Sequence, residues 1–186
     1  MKTKQLKKYI RSDLYRYYGK GNWRLFIKAL LINRSFKYSF WLRLCKSECW
    51  VIKSLAIVMH RIYSTRYSVH ISHVTEIGFG LYIGHGTSIV VSPTAVIGDN
   101  CNLSPFTIIG SNKGKAATIG NNVYIGPHVS IVEDVIIGSD VTIGSGCVVV
   151  KDIPNGMTSI GNPNRNKISR EISPFIKNKY ELCKWQ

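Results

Sequence analysis

The sequence has little negative charge and no apolar run long enough to cross a membrane. Only 10 of its 186 residues are Asp or Glu, against 25 Lys and Arg. A spanning helix needs about 18 or more consecutive apolar residues, whereas the strongest candidate, residues 55–59, is bounded by Lys53 and His60. The basic residues that follow Met1 lead to no apolar segment of the secretory type. We therefore expect a cytoplasmic protein without a spanning helix.

Cysteine is scarce and irregularly spaced. The five cysteines are an odd number and show no regular interval, which disfavours a disulfide framework and suits a reducing compartment. No His and Cys residues have the spacing of a metal site, so no metal is expected. No nucleic-acid-binding motif is present either, and nucleic acid is not an expected partner.

The basic residues are concentrated at the two ends of the chain. Residues 1–67 contain 16 Lys and Arg but 2 acidic residues, residues 68–162 contain 3 and 6, and residues 163–186 contain 6 and 2. This division predicts an N-terminal basic helical region over 1–67 and a central repeat domain over 68–162. Residues 163–186 are expected to form a basic C-terminal tail, of which residues 166–186 would be frayed or folded as a short helix.

A repeat of six residues occupies the central domain. Its first position is aliphatic thirteen times, and eleven of these residues are isoleucine: Ile71, Ile77, Ile83, Ile89, Ile97, Leu103, Ile109, Ile119, Ile125, Ile131, Ile137, Ile143 and Val149. A period of six fits neither an amphipathic helix nor an alternating strand, but it is typical of a parallel β-helix. The pattern predicts about four coils of a triangular prism, with the aliphatic residues pointing inward.

Two interruptions break the six-residue step. The interval from Ile89 to Ile97 has two additional residues, for which we predict a bulged corner at residues 92–94. The interval from Ile109 to Ile119 has four additional residues, so residues 111–116 are predicted to leave the prism as a loop. Loops on a rigid scaffold commonly carry function.

The N-terminal region shows helical periodicity over residues 4–63. One interpretation is a cap that covers the open end of the prism and contacts other subunits, because unpaired strand edges need covers. A second interpretation is that the basic helices, with their Tyr and Trp residues, bind an anionic membrane surface at the inner membrane.

The repeat, the segment from Ile77 to Val90 and the ending Gly161-Asn162-Pro163-Asn164-Arg165 resemble the left-handed β-helix acyltransferases. Within them the chain is similar to serine acetyltransferases and to their polysaccharide-modifying relatives, such as the colanic acid acetyltransferases. The resemblance covers about residues 68–167. It implies a mainly β fold, a left-handed parallel β-helix with an N-terminal α-helical region, which would make residues 68–162 the acyltransferase domain.

The resemblance also implies how such a protein would work. Acetyl-CoA would bind as co-substrate between neighbouring prisms of a homotrimer, and its acetyl group would pass directly to a hydroxyl. By the same resemblance, the cofactor-binding residues would be Gly110, Ser111, Lys115, Gly126, Gly144, Ser145, Lys151 and Arg165. Cations such as these lysines and Arg165 suit the phosphates of CoA.

His85 is the candidate general base. A neutral imidazole, whose unperturbed pKa is about 6.5, is suited to removing a proton from a hydroxyl. His85 lies two residues after the inward Ile83, so its side chain is expected to point away from the core. We expect Gly84 to leave room for the acceptor, and Asn102 and Ser104 to contact it from the next coil.

Two departures from the serine acetyltransferase pattern bear on the acceptor. Gly84 stands where those enzymes have an Asp, and residues 116–118 stand where they have a second functional histidine. A free amino acid needs a partner for its ammonium group. We therefore expect the acceptor to be a sugar hydroxyl of a bacterial surface polysaccharide (capsule, O-antigen or exopolysaccharide) or of its precursor. The alternatives are a serine O-acetyltransferase of cysteine biosynthesis and a non-catalytic trimeric scaffold.

Overall fold

The structure is a computed structural model that describes residues 1–169 and 174–181. It begins with four helices, α1 Thr3–Tyr18, α2 Trp23–Ile32, α3 Arg34–Leu44 and α4 Trp50–Tyr67. Short strands follow: β1 Val69–Ile71, β2 Glu76–Ile77, β3 Tyr82–Ile83, β4 Ile89–Val91, β5 Val96–Ile97, β6 Asn102–Leu103, β7 Ile108–Gly110, β8 Thr118–Ile119, β9 Tyr124–Ile125, β10 Ser130–Val132, β11 Ile136–Ile137, β12 Thr142–Ile143, β13 Val148–Val149, β14 Met157–Ile160 and β15 Arg165–Ile168. Over these residues, no helix combines the length and apolarity that a membrane crossing requires.

The strands form the three sides of a prism. The first sheet has the order β1-β4-β7-β10-β13, the second β2-β5-β8-β11, and the third β3-β6-β9-β12-β14-β15. Every pair is parallel except β14 with β15, which is antiparallel. Each strand therefore stacks on the strand one coil earlier, and the predicted left-handed β-helix with an N-terminal helical region is confirmed. The first sheet contains five strands, one coil more than expected.

The repeated aliphatic residues fill the prism. All thirteen predicted inward positions are buried, with at most 7% of the residue surface exposed. Burying one isoleucine side chain contributes about 1.5–3 kcal/mol, and no single coil could bury its own aliphatic residues. The stacked column is therefore the main source of stability of this domain.

The two-residue insertion lies at a different corner from the one predicted. Strand pairing matches Ile71 with Val91 and then Val91 with Ile109, while Ile83 matches Leu103. The additional residues therefore lie between Ile83 and Val91, and the prediction of a bulge at residues 92–94 is wrong. Ile89 and Val91 are both buried, so hydrophobicity alone could not show which of them continues the repeat.

The four-residue insertion lies at the position predicted from the sequence. Ile97 pairs with Ile119, and residues 111–115 form a surface loop between β7 and β8. The loop folds over the next coil, because Ser111 Oγ donates to Glu133 Oε2 at 2.7 Å and Lys115 Nζ lies 3.0 Å from Asp134 Oδ2. The hydrogen bond from Ser111 holds the pKa of Glu133 below its usual value.

The helical region caps the open end of the prism. One polar side chain reaches the first coil on each side: Tyr38 Oη accepts from Ile71 N at 3.0 Å, Arg43 Nη1 donates to Ile77 O at 2.8 Å, and Tyr17 Oη accepts from Ile83 N at 3.0 Å. These contacts satisfy backbone groups that a free sheet edge would leave unpaired. Burial raises the pKa of Tyr38 to about 12, so its hydroxyl stays protonated.

A buried ion pair fixes this cap. Arg43 Nε lies 2.9 Å from Asp13 Oδ2, Arg43 Nη2 lies 3.0 Å from Asp13 Oδ1, and both side chains are almost fully enclosed. Asp13 Oδ1 also accepts from Leu81 N at 2.9 Å. The pair therefore links α1, α3 and the first coil.

The described residues after 162 are packed against the prism. Residues 165–168 form β15, and Tyr180 exchanges two hydrogen bonds with Asn100, at 2.8 and 3.1 Å. Phe175 stacks on Tyr124 with ring centroids 4.5 Å apart. The expectation of a frayed tail or short helix is therefore wrong for residues 166–169 and 174–181, because this segment pairs as β15 and its later side chains find partners on the prism. Residues 170–173 and 182–186 of the predicted tail lie outside the described residues.

Candidate active site

His85 lies at the corner that contains the two-residue insertion. Its backbone is left-handed, with φ of 55°, and the neighbouring Gly86 has φ of 54°. The Gly86 N–H donates to Gly84 O at 2.7 Å, which closes a tight turn. A Cβ at Gly86 would lie 2.6 Å from Ser35 Oγ, so only glycine lets the start of α3 approach this closely. The insertion therefore projects His85 outward, and its side chain is exposed.

A cavity of about 570 Å³ opens beside His85. Its floor contains Tyr82, Asn102 and Tyr124, which occupy equivalent positions on successive strands of the third sheet. Arg16 and Tyr17 of α1 line one wall, and Pro174, Phe175, Lys177 and Asn178 line another. The site therefore combines the prism, the helical cap and the C-terminal segment.

Arg16 connects these three parts of the chain. Its Nη1 donates to Gly80 O at 2.7 Å, its Nε donates to Lys177 O at 3.0 Å, and its Nη2 donates to Asn102 Oδ1. The Asn102 Nδ2 group donates to Phe175 O at 3.0 Å. The orientation of the Asn102 amide is thus set from both sides.

The predicted acceptor residues come together in this cavity. His85, Gly84, Asn102 and Ser104 all line it, and their roles stay a prediction. The sequence analysis missed Arg16, Tyr17 and the segment around Lys177. Arg16 is 64 to 161 residues distant from its three partners, and nothing in the local sequence of α1 indicates those contacts.

The predicted cofactor residues do not all meet within one chain. Gly126 and Gly144 stack on the corner of Gly84, one above the other, through backbone hydrogen bonds, and Ser145 Oγ donates to Pro127 O at 3.0 Å. Gly110, Ser111 and Lys115 lie on or beside the insertion loop at a different corner of the prism. The remaining two, Lys151 and Arg165, are exposed near its far end. Their predicted contacts with CoA remain a prediction.

The repeat matches a known family model. The model described as "Bacterial transferase hexapeptide (six repeats)" matches residues 116–151. The chain is also similar to Neisseria gonorrhoeae serine acetyltransferase, whose crystal structure was solved in complex with serine. The two sequences are 30% identical, the two structures have a TM-score of 0.71, and the match covers 87% of this chain and 69% of that one. The chain therefore belongs to the hexapeptide-repeat transferases with the left-handed β-helix fold.

Within that family, the chain is similar to serine acetyltransferases. It is 38% identical over 117 residues to the chloroplastic serine acetyltransferase 1 of Arabidopsis thaliana, which covers 61% of this chain and 37% of that protein. It is 33% identical over 102 residues to the serine acetyltransferase of Synechococcus elongatus, which covers 52% of this chain and 41% of that protein. The chain spans 30% to 42% of the length of the curated relatives it matches.

These relatives overturn the expected acceptor. The prediction of a polysaccharide sugar as acceptor, and of a role in polysaccharide biosynthesis, is wrong, because the similar proteins are serine acetyltransferases both in sequence and among solved structures. The prediction rested on two absent side chains, at Gly84 and at residues 116–118. It could not take account of groups such as Arg16 and Lys177, which the fold brings to the same cavity from distant parts of the chain.

Proposed function

We propose that this protein is a serine O-acetyltransferase that uses acetyl-CoA as co-substrate. One observation supports this most strongly: a histidine, His85, borders a polar cavity in a chain whose fold and sequence match a serine acetyltransferase solved with serine. The exposed imidazole can reach a hydroxyl held over Asn102 and Ser104. No other histidine lines this cavity among the described residues.

The proposed reaction needs one proton acceptor. The serine hydroxyl oxygen attacks the thioester carbonyl carbon, the new C–O bond forms, and the C–S bond breaks. His85 takes the hydroxyl proton as the C–O bond forms and returns it to the departing thiolate, which leaves as CoA thiol. A positioned base of this kind typically contributes about 10²–10⁴-fold to the rate.

The cofactor groove is proposed to lie between two prisms of a homotrimer. The corner column of Gly126, Gly144 and Ser145 and the loop with Ser111 and Lys115 lie on different edges of one chain. A groove between neighbours would bring one edge from each subunit together. Exposed apolar residues on the outer faces of the first two sheets, such as Val90, Ile108 and Ile136, support contact with other copies.

The proposed activity is tested by release of CoA thiol. Purified protein is incubated with acetyl-CoA, with and without L-serine, and the free thiol is measured. We expect release that depends on L-serine and saturates with it. Binding of acetyl-CoA by calorimetry without any serine-dependent release would contradict the proposed acceptor. Absence of both would favour the non-catalytic scaffold.

We also propose that the helical region binds an anionic membrane surface from the cytoplasmic side. The outer faces of α2 and α4 expose large apolar residues: Trp23, Ile27, Leu31, Ile32, Trp50, Val51, Ile52, Leu55, Ile57, Val58 and Ile62. Trp23 is 68% exposed and Trp50 is 76% exposed. Residues 1–67 also contain 16 basic and 2 acidic residues. A second copy of the chain would bring two cationic faces together, whereas anionic lipid complements both the charge and the apolar surface.

The free cysteines Cys45, Cys49, Cys101 and Cys147 suit the reducing cytoplasm.

Sedimentation with vesicles tests the membrane proposal. We expect the protein to sediment with vesicles that contain phosphatidylglycerol and to detach as the salt concentration is raised. It should not bind vesicles of pure phosphatidylcholine. Replacing both Trp23 and Trp50 by Ser should reduce binding. The matched control is Ile168→Ser, which changes an apolar residue that is 81% exposed and lies on β15 outside the helical region. Equal binding of the Trp variant, or self-association in place of lipid binding, would contradict the proposal.

A further inference from the structure

The cavity beside His85 is lined by cationic groups and, among the residues that the structure describes, by no acidic ones. Arg16 and Lys177 line it, and Arg34 Nε donates to the His85 carbonyl oxygen at 2.6 Å. No Asp or Glu lines it within residues 1–169 and 174–181. The charged side chains that the structure describes around the cavity are therefore all cationic.

Arg16 is buried and has no counter-ion among the described residues. It is 3% exposed, and no carboxylate of the described residues lies within ion-pair distance of it. Its known acceptors are two carbonyl oxygens and an amide oxygen, which solvate the guanidinium but do not neutralise it. Asp13, which also lies in α1, is already paired with Arg43. Burial lowers the pKa of Arg16 from its usual value, and a buried charge of this kind is costly until an anion pairs with it.

The described side-chain groups of the cavity that could accept from an ammonium are all neutral. Gly84 precedes His85, and the polar side-chain oxygens around the cavity belong to tyrosines, Asn102, Ser104 and Asn178. Asn102 Oδ1 already accepts from Arg16. An ammonium ion placed here would face cations without a carboxylate partner, whereas a carboxylate would complete the charge of Arg16 and Lys177.

We infer that this cavity recognises its acceptor through the carboxylate, by means of Arg16 and Lys177, and not through the amino group. The inference rests on the proposed function and narrows it. The acceptors would then be small carboxylates that carry a hydroxyl, with serine as one member of the class. A hydroxy acid in which a second hydroxyl replaces the amino group would serve as well.

Three matched acceptors test this inference. L-Serine has both charged groups, glycerate keeps the carboxylate and replaces the ammonium by a hydroxyl, and ethanolamine keeps the ammonium and lacks the carboxylate. Thiol release from acetyl-CoA gives kcat/KM for each. We expect glycerate to remain within about tenfold of serine, and ethanolamine to fall by about 10²-fold or more, because the cavity's cations would be left unpaired.

A lysine variant tests whether Lys177 contributes to recognition of the acceptor's carboxylate, and it leaves the buried core unchanged. Lys177 is exposed, so Lys177→Met should fold, raise KM for serine and glycerate several-fold and not lower kcat/KM for ethanolamine, because the variant removes a cation that repels its ammonium group. The control is Lys179→Met on the same segment, because Lys179 does not line the cavity and lies 3.8 Å from Asp140. This control variant should leave kcat/KM unchanged for all three acceptors.

The outcomes separate the inference from the proposed function. Activity with serine but not glycerate, or with ethanolamine within tenfold of serine, would overturn the inference and leave serine acetylation standing. Activity with glycerate but not serine would support the inference and contradict the proposed function. No release with any of the three would overturn both.

Discussion

Replacing His85 by asparagine should lower kcat for serine acetylation by about 10²–10⁴-fold, the contribution of a positioned general base. Asparagine is the informative substitution because it tolerates a left-handed backbone better than most residues, and His85 has φ of 55°. The corner should therefore keep its shape while the only imidazole at the cavity is lost. Calorimetry should show that acetyl-CoA still binds, since the change removes the base and not the cofactor groove.

His128→Asn is the matched control for this experiment. His128 is also exposed and also left-handed, with φ of 57°, and it belongs to the same edge of the prism two coils further on. Its ring stacks on Phe106 with centroids 4.4 Å apart, and it does not line the cavity. Its replacement should leave kcat unchanged. If His85→Asn retained the activity of the unmodified protein, His85 could not be the base and the proposed mechanism would fail.

The second large effect concerns stability. Replacing Asp13 by asparagine should reduce the free energy of unfolding by about 3–5 kcal/mol, the usual cost of removing one partner of a buried ion pair. The substitution keeps the size of the side chain and an oxygen that can accept from Leu81 N. It leaves Arg43, which is 2% exposed, without its counter-ion. Urea unfolding followed by circular dichroism measures the change.

The exposed pair between Lys115 and Asp134 provides the comparison. Its atoms are 3.0 Å apart, but the two side chains are 68% and 45% exposed. Asp134→Asn should therefore cost about 1 kcal/mol or less, because solvent screens such pairs. A loss from Asp13→Asn as small as that from Asp134→Asn would show that the ion pair does not fix the cap.

The fold could be predicted because its signal repeats along the chain. Each coil needs its own inward aliphatic residue, so the six-residue step from Ile119 to Val149 specifies both the strands and their stacking. The position of the first insertion could not be predicted, because Ile89 and Val91 both face the core. Only the pairing with Ile71 and Ile109 shows which of them is in register.

The candidate site was predictable only where it belongs to the repeat. Gly84, His85, Asn102 and Ser104 come from neighbouring coils, whose spacing places them side by side. The walls come from outside the repeat, and contacts such as that from Arg16 to Lys177 join residues 161 positions apart. Periodicity carries no information on such contacts, which is why Arg16, Tyr17 and the segment around Lys177 were not predicted as part of the site.

The distribution of the cavity walls along the chain affects the order in which the protein becomes active. Coils can stack one by one during translation, since each contacts mainly its neighbours. The cavity, however, needs Arg16 from the first helix and residues 174–178 from the last described segment. A nascent chain that has already built its prism would therefore still lack a complete cavity until residues 174–178 have left the ribosome.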